Sequence, residues 1–298
     1  MRILVLGGTG YLGRHVAERL RALPGAQVLA AGRSAAAFAA DLAADPPGRL
    51  ARTLAAAAPD AVVNCAGATG GDPVTLAEVN ARGPAVLCAA LREAAPTARL
   101  VHLGSAAEYG PGTPDVPVTE AAPACPVTPY GATKLAGTLA VTSAALDAVV
   151  LRVGNPVGPG APVASLPGRL AALLRTAGRD PEAVLRLGDL SAHRDFVDVR
   201  DVARAAESAV TAPGPLPGVL NIGSGTAVPV RELVHGLARR AGFRGTVEEH
   251  AGGSARSAQV SWQCSDISAA ARTLGWRPVH TLDDALAALW TATGERVP

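Results

Sequence analysis

Lysine is almost missing from this chain: Lys134 is the only one among 298 residues that include 26 arginines. A basic surface position here could be filled by guanidinium, so the single ammonium marks a place where a compact charge on a flexible stem is needed and a planar fork does not serve. Aromatic residues make up 3% of the chain and methionine occurs once, which argues mildly against a large stacking pocket. The excess of alanine, arginine, glycine and proline has the look of a GC-rich genome, and tyrosines kept against that drift, three in all, are informative. The four cysteines, Cys65, Cys88, Cys125 and Cys264, form no Cys-x-x-Cys and have no histidine pair nearby, so free thiols and no metal site are expected. Charge of one sign is also lacking. With 27 basic and 25 acidic residues and no charged block, neither nucleic acid nor an anionic membrane is implied, and a small-molecule partner fits better. No stretch of roughly 18 apolar residues runs uninterrupted, and Arg2-Ile3-Leu4-Val5-Leu6 does not resemble a secretory signal. A cytoplasmic protein is expected, with two domains or one large α/β domain carrying an appendage.

What is present is organised. Residues 2–6 read as a buried strand leading into Gly7-Gly8-Thr9-Gly10-Tyr11-Leu12-Gly13 and then an amphipathic helix to residue 23. Glycines at this spacing allow a tight turn and let helix N–H groups approach a pyrophosphate. A second strand over 26–31 ends in Gly32-Arg33-Ser34, where NAD-binding folds place a carboxylate for the ribose 2′-hydroxyl. Gly32 offers none, and Arg33 can clasp a 2′-phosphate, so NADP is preferred to NAD. There follow Asp41-Leu42, a helix over 47–58, a strand over 61–67 whose small Ala66 and Gly67 let a cofactor pass, and a helix over 72–95 interrupted at Gly83-Pro84. A strand over 100–103 runs into Gly104-Ser105-Ala106-Ala107-Glu108-Tyr109-Gly110. Strand and helix alternate through residue 153, which predicts an α/β fold of Rossmann type: a doubly wound parallel sheet with its site at the carboxyl ends of the strands. Residues 1–154 are expected to form the cofactor-binding domain. Residues 155–298 are expected to be mainly a substrate-binding lobe, with some segments returning to the first.

Thr128 can cap the next helix with Pro129 at its first position. Tyr130 and Lys134 then lie four apart on one helix face, where a phenol meets an ammonium. After a strand over 148–153 come Gly154-Asn155-Pro156-Val157-Gly158-Pro159-Gly160 and, later, His193-Arg194-Asp195-Phe196-Val197-Asp198-Val199-Arg200-Asp201-Val202. A helix over 204–210, a strand over 219–223, a helix from 230 and Leu274-Gly275-Trp276-Arg277-Pro278 close the reading.

These segments together make the chain resemble an extended short-chain dehydrogenase/reductase of the NAD(P)-dependent epimerase/dehydratase family, which works on nucleotide sugars. The stretch from Gly188-Asp189-Leu190 to Asp201 is most similar to the GDP-mannose dehydratase and GDP-4-keto-6-deoxymannose reductase branch. The resemblance implies catalytic roles for Ser105, Tyr130 and Lys134. It implies a cofactor held by Gly7, Thr9, Gly10, Tyr11, Leu12, Gly13, Arg33, Asp41, Leu42, Ala66, Gly67, Asn80, Tyr130 and Lys134. The substrate would meet Ala106, Ala107, Asn155, Arg186 and Arg194; for Arg194 a structural ion pair with Asp195 or Asp198 is the alternative, and His193 reads as a polar loop residue.

Dehydratases of the family carry an acidic pair after the serine, and the GDP-fucose synthase type has a cysteine at the Ala107 position; this chain has Ala106 and Ala107, which carry no proton. Glu108 stands one place too late. Carbonyl reduction or 4-epimerisation remains, and Arg33 tips the balance to reduction. The leading expectation is therefore an NADPH-dependent ketoreductase acting on a nucleotide-activated 4-keto-6-deoxy sugar. Alternatives are a reductase of a polyketide or other natural-product ketone, a 4-epimerase, and a dinucleotide-sensing protein without turnover. Family members are often homodimers through paired helices.

Overall fold

The computed structural model describes residues 1–33, 36–250 and 260–294. Short apolar runs alternating with amphipathic stretches give β1 (Arg2–Leu6), α1 (Tyr11–Arg21), β2 (Gln27–Gly32), a two-residue β3 (Phe38–Ala39), α2 (Pro47–Ala57) and β4 (Ala61–Asn64). Next come α3 (Pro73–Ala77), α4 (Gly83–Ala94), β5 (Arg99–Ser105), α5 (Pro129–Thr142) and β6 (Ala148–Val153). The later chain adds β7 (Asn155–Val157), α6 (Leu166–Ala177), β8 (Val184–Leu187), β9 (His193–Asp198), α7 (Val199–Thr211) and β10 (Val219–Ile222). It ends with β11 (Ala227–Pro229), α8 (Val230–Ala241), β12 (Thr246–Glu249), α9 (Ser268–Leu274) and α10 (Leu282–Gly294).

Seven parallel strands form the main sheet in the order β10-β6-β5-β4-β1-β2-β3. This is the Rossmann-type arrangement expected from the alternation. The order reverses between β1 and β4, so the loops after those strands splay to opposite faces and open a crevice at their carboxyl ends. Strand periodicity divides the apolar side chains: Ile3, Val5, Val63, Val101 and Leu151 pack on one face, where Val16 of α1 and Val202 of α7 also lie. Leu4, Leu6, Val62, Leu100 and Val150 pack on the other with Leu50, Leu87 and Val141 of α2, α4 and α5. A third apolar cluster joins α6, α8 and α10 around Leu170, Leu233 and Leu286. It lies by the small β11-β9-β7 and β12-β8 sheets.

Three elements depart from the sequence expectation. The chain stays helical from Pro73 to Ala94, and the irregularity falls before Gly83-Pro84 as a π turn over Glu78–Arg82. Pro84 has no N–H and its ring crowds the preceding turn. A wider turn absorbs this, with the Gly83 N–H reaching back five residues to Glu78. The strand expected over 61–67 ends at Asn64, and Cys65 to Gly67 leave the sheet as loop. Helix α7 starts five residues earlier than expected because Asp198 accepts the Arg200 N–H at 2.8 Å and caps it.

Candidate active site

The glycine loop after β1 is shaped by close backbone approach. Gly7 has φ +74°, and the Gly10 N–H donates to its carbonyl at 3.0 Å. A Cβ on Gly13 would stand 2.1 Å from that same Gly7 oxygen, so no side chain fits there. Gly10 caps α1 without any side-chain bond, which leaves the first helical N–H groups directed outward. Thr9 is exposed, while Leu12 is partly buried against the core. On the same helix, His15 Nε2 lies 2.9 Å from the Pro159 carbonyl oxygen and the Tyr11 hydroxyl 3.5 Å from that of Gly158. Burial, with Asp198 nearby, pushes the Tyr11 phenol far up, so it stays protonated. Arg33 is exposed at the end of β2. The Asp41 carboxylate accepts the Ala43 N–H at 3.0 Å, and Leu42 is in the core.

Across the crevice, Ser105 ends β5 and α5 passes over it. Thr128 Oγ1 accepts the Gly131 N–H at 3.1 Å, fixing the start of α5. Gly131 and Gly137 have no Cβ, and one added to either would stand 2.5 Å from the Ala107 oxygen or 2.2 Å from the Asn80 oxygen. Helix α5 is thereby brought against both the end of β5 and the π turn. Tyr130 is half-buried in its first turn, and Lys134, 5% exposed, follows one turn on. Lys134 Nζ donates to the Leu103 carbonyl at 2.5 Å. Burial brings the ammonium down to about 8, with Glu108 and Cys65 opposing the shift. Asn80 spans the loop after β4: its Oδ1 accepts the Ala68 N–H at 2.9 Å, and its Nδ2 donates to the Ala68 oxygen at 2.8 Å. A Cβ on Gly67 would lie 3.5 Å from Asn80 Oδ1 and 3.9 Å from Lys134 Nζ, so that glycine keeps the space beside the ammonium open. Ser105 Oγ accepts the Ala107 N–H at 3.2 Å, which leaves its own proton for another acceptor.

From the later chain, Asn155 Nδ2 donates to the Asp195 oxygen at 3.2 Å and lies 3.5 Å from Gln263 Oε1. Gln263 Nε2 in turn donates to the Ala106 oxygen at 2.8 Å, so Ala106, Asn155 and Gln263 form one cluster next to Ser105. Arg194 is 7% exposed and donates to the His193 oxygen at 2.8 Å; desolvation lowers its guanidinium. The acids considered as its partners are engaged elsewhere. Asp195 accepts N–H groups from Ser224, Gly225 and Ser265, and Asp198 pairs with Arg200 at 2.6 Å. His193 opens β9 and bonds main chain to Ser261 and Gln263, so it is a strand residue and not a loop one. Arg186 lies on β8 of the β12-β8 sheet, 3.3 Å from Glu248. No helix among the described residues is long and apolar enough to cross a membrane.

Residues 3–223 match the family described as NAD dependent epimerase/dehydratase. The chain belongs to that family. It is 39% identical, over 98% of its length and 95% of the relative's, to the dTDP-6-deoxy-L-talose 4-dehydrogenase (NAD(P)(+)) of Kitasatospora kifunensis. Its fold superposes with TM-score 0.85 on RMD from Pseudomonas aeruginosa complexed with NADPH, at 25% identity over 99% of each chain. It superposes with TM-score 0.85 on MoeE5 in complex with UDP-glucuronic acid and NAD, at 27% identity over 100% of each chain. As a member of the NAD(P)-dependent epimerase/dehydratase family, the chain is an NAD(P)-dependent oxidoreductase.

The residues present fit such a dinucleotide. The Gly7–Gly13 turn is too tight for side chains, α1 starts without a side-chain cap, Gly7 lies against Ala66, and the flank of Gly67 beside Lys134 is bare. Two polar side chains of this epimerase/dehydratase-family site were not singled out as functional from sequence. Glu108 was legible in part, because Ser105-x-x-Glu108 has capping-box spacing. Gln263 carries no local signal, since its side-chain contacts lie more than a hundred residues away.

Proposed function

We propose that this enzyme is an NADPH-dependent ketoreductase of a nucleotide-activated 4-keto-6-deoxy sugar, with Ser105, Tyr130 and Lys134 as its catalytic residues. The observation that carries the reading is the placing of α5 directly over the end of β5, with two alanines where a dehydratase needs an acid and a base. Reduced nicotinamide, when bound, supplies the hydride for the carbonyl carbon. Ser105 donates a hydrogen bond from its free hydroxyl to the carbonyl oxygen and holds it in place, keeping its own proton. Tyr130 transfers its phenolic proton to that oxygen, giving the alcohol, and is reprotonated from water. A free tyrosine titrates near ~10, and an ammonium one helix turn away favours the phenolate over the phenol, which eases the proton's departure. Arg33, exposed at the end of β2, favours NADPH through the 2′-phosphate. Arg194 and Asn155 contribute to the substrate side, where the relatives with dTDP and UDP sugars point to a nucleoside diphosphate sugar. We further place the enzyme in the cytoplasm as a homodimer through α5, on which Leu139 stands 58% exposed.

The second reading is 4-epimerisation, favoured by the similarity, 30% identity over 96% of each chain, to the UDP-glucose 4-epimerase of Mycolicibacterium smegmatis. A screen of NADPH oxidation decides, offering nucleotide 4-keto sugars beside polyketide ketones. Stoichiometric oxidation with the sugars supports the reading. Turnover of polyketide ketones alone, or interconversion of 4-epimers without net oxidation, overturns it.

A further inference from the structure

Glu108 is fully buried, and its carboxylate has three partners from three different elements. Oε1 accepts the Ser105 N–H at 2.8 Å at the end of β5. Oε2 accepts the Thr138 hydroxyl of α5 at 2.8 Å and Arg152 Nε of β6 at 2.7 Å. The Arg152 guanidinium is itself stacked 4.4 Å from the centre of the Tyr109 ring. A buried ion pair seldom adds net stability, because desolvating two charges offsets their attraction. Such a pair set between the helix that carries Lys134 and the strand that carries Ser105 calls for another reason.

The strand geometry supplies one. Gly104 and Arg152 are register partners across β5 and β6, and a Cβ at Gly104 would lie 2.7 Å from Glu108 Oε1. The carboxylate occupies that missing side chain's place, on the face of the sheet that α5 covers. We propose that Glu108 is a positioning residue of the Ser105–Tyr130–Lys134 site: it locks the end of β5 to α5 and is the buried counter-charge of Lys134. The proposal rests on the functional reading above for its catalytic meaning, but its structural content concerns this chain alone. The charged and titratable groups that act on Lys134 are Glu108 from the turn after β5, Cys65 from the loop after β4 and His102 from β5, with Arg152 of β6 beyond Glu108 and Tyr130 one turn earlier on α5. Burial pushes the Cys65 thiol up to about 12 and drives His102 well below its usual range, so both are neutral near pH 7. Thr138, which donates to Glu108, lies one turn of α5 beyond Lys134. The carboxylate therefore sits on the helix face that carries the ammonium and opposes its desolvation as a charged acid.

Lys134 being the only lysine gives a test that needs no substrate. In protein labelled with ¹³Cε-lysine and carrying no added lysine, one signal reports the titration of Lys134. The wild type is expected to titrate near 8. Glu108→Gln removes the counter-charge, so the midpoint is expected to fall by on the order of one unit; an unchanged midpoint overturns the counter-charge role. Should that variant not fold, Thr138→Val carries the test of positioning. It keeps the charge and shape and breaks only the tie to α5, and kcat is expected to fall several-fold with KM for NADPH unchanged. Wild-type kcat in Thr138→Val overturns the positioning role. Failure of the ketoreductase reading would be visible separately, as a wild type that oxidises no NADPH while its lysine signal still responds to Glu108→Gln.

Discussion

The side-chain amide of Gln263 donates to the main-chain oxygen of Ala106, 157 residues earlier, at 2.8 Å, while its oxygen faces Asn155. One buried side chain therefore holds the later segment against the residue that follows Ser105. Cutting Gln263 to alanine leaves the Ala106 carbonyl without that partner, a loss of roughly 1–3 kcal/mol. Gln263→Ala is expected to raise KM for the sugar by about 10-fold with a smaller change in kcat, measured by steady-state kinetics at saturating NADPH. A KM unchanged within error would show that the contact serves the fold only.

The glycine loop makes a steric prediction. Gly13→Ala puts a methyl 2.1 Å from the Gly7 oxygen, and backbone on both sides cannot yield without opening the turn. Binding of NADPH, followed by fluorescence, is expected to weaken by at least about 100-fold, since the helix N–H groups lose their aim. Retained affinity would mean that the dinucleotide is held elsewhere.

In the proposed function, cofactor choice rests on Arg33. One charge-assisted hydrogen bond is worth about 1.5–3 kcal/mol, which corresponds to roughly 10–100-fold in affinity. Arg33→Ala is expected to lose that much in kcat/KM for NADPH and little for NADH. Undiminished NADPH preference would remove Arg33 from the 2′-phosphate.

The pH dependence follows from Lys134. Its ammonium is lowered to about 8 by burial, so the charged form that assists Tyr130 is present below that pH and is lost as pH rises through it. In kcat/KM, which reports the free enzyme, an alkaline limb is expected near pH 8. Lys134→Arg, which cannot titrate in this range, is expected to abolish that limb along with most of the activity. A wild-type profile flat to pH 10 would contradict the role.

How far the sequence reached depends on the range of the interaction concerned. The β1–glycine loop–α1 unit and the Thr128-Pro129 start of α5 are local, set by residues within a few positions, and both were legible. The π turn at Glu78–Arg82 was displaced from the expected break, because a proline marks strain without saying which turn absorbs it. Glu108 read as an acid out of place because its meaning lies in Arg152, 44 residues on. Strand β10 was legible as a strand, but its place beside β6, reached only after the chain has passed through α6 to α7, is set by no local pattern. The contact between Arg186 and Glu248, 62 residues on in the neighbouring strand β12, likewise has no local signal.

The most direct test of the account is Tyr130→Phe, assayed for NADPH oxidation with a nucleotide 4-keto-6-deoxy sugar alongside NADPH binding by fluorescence. The variant loses only the phenolic hydroxyl. A positioned acid is worth about 10²–10⁴-fold, so kcat/KM is expected to fall by that factor with NADPH affinity nearly unchanged. Activity equal to wild type would contradict proton transfer through Tyr130.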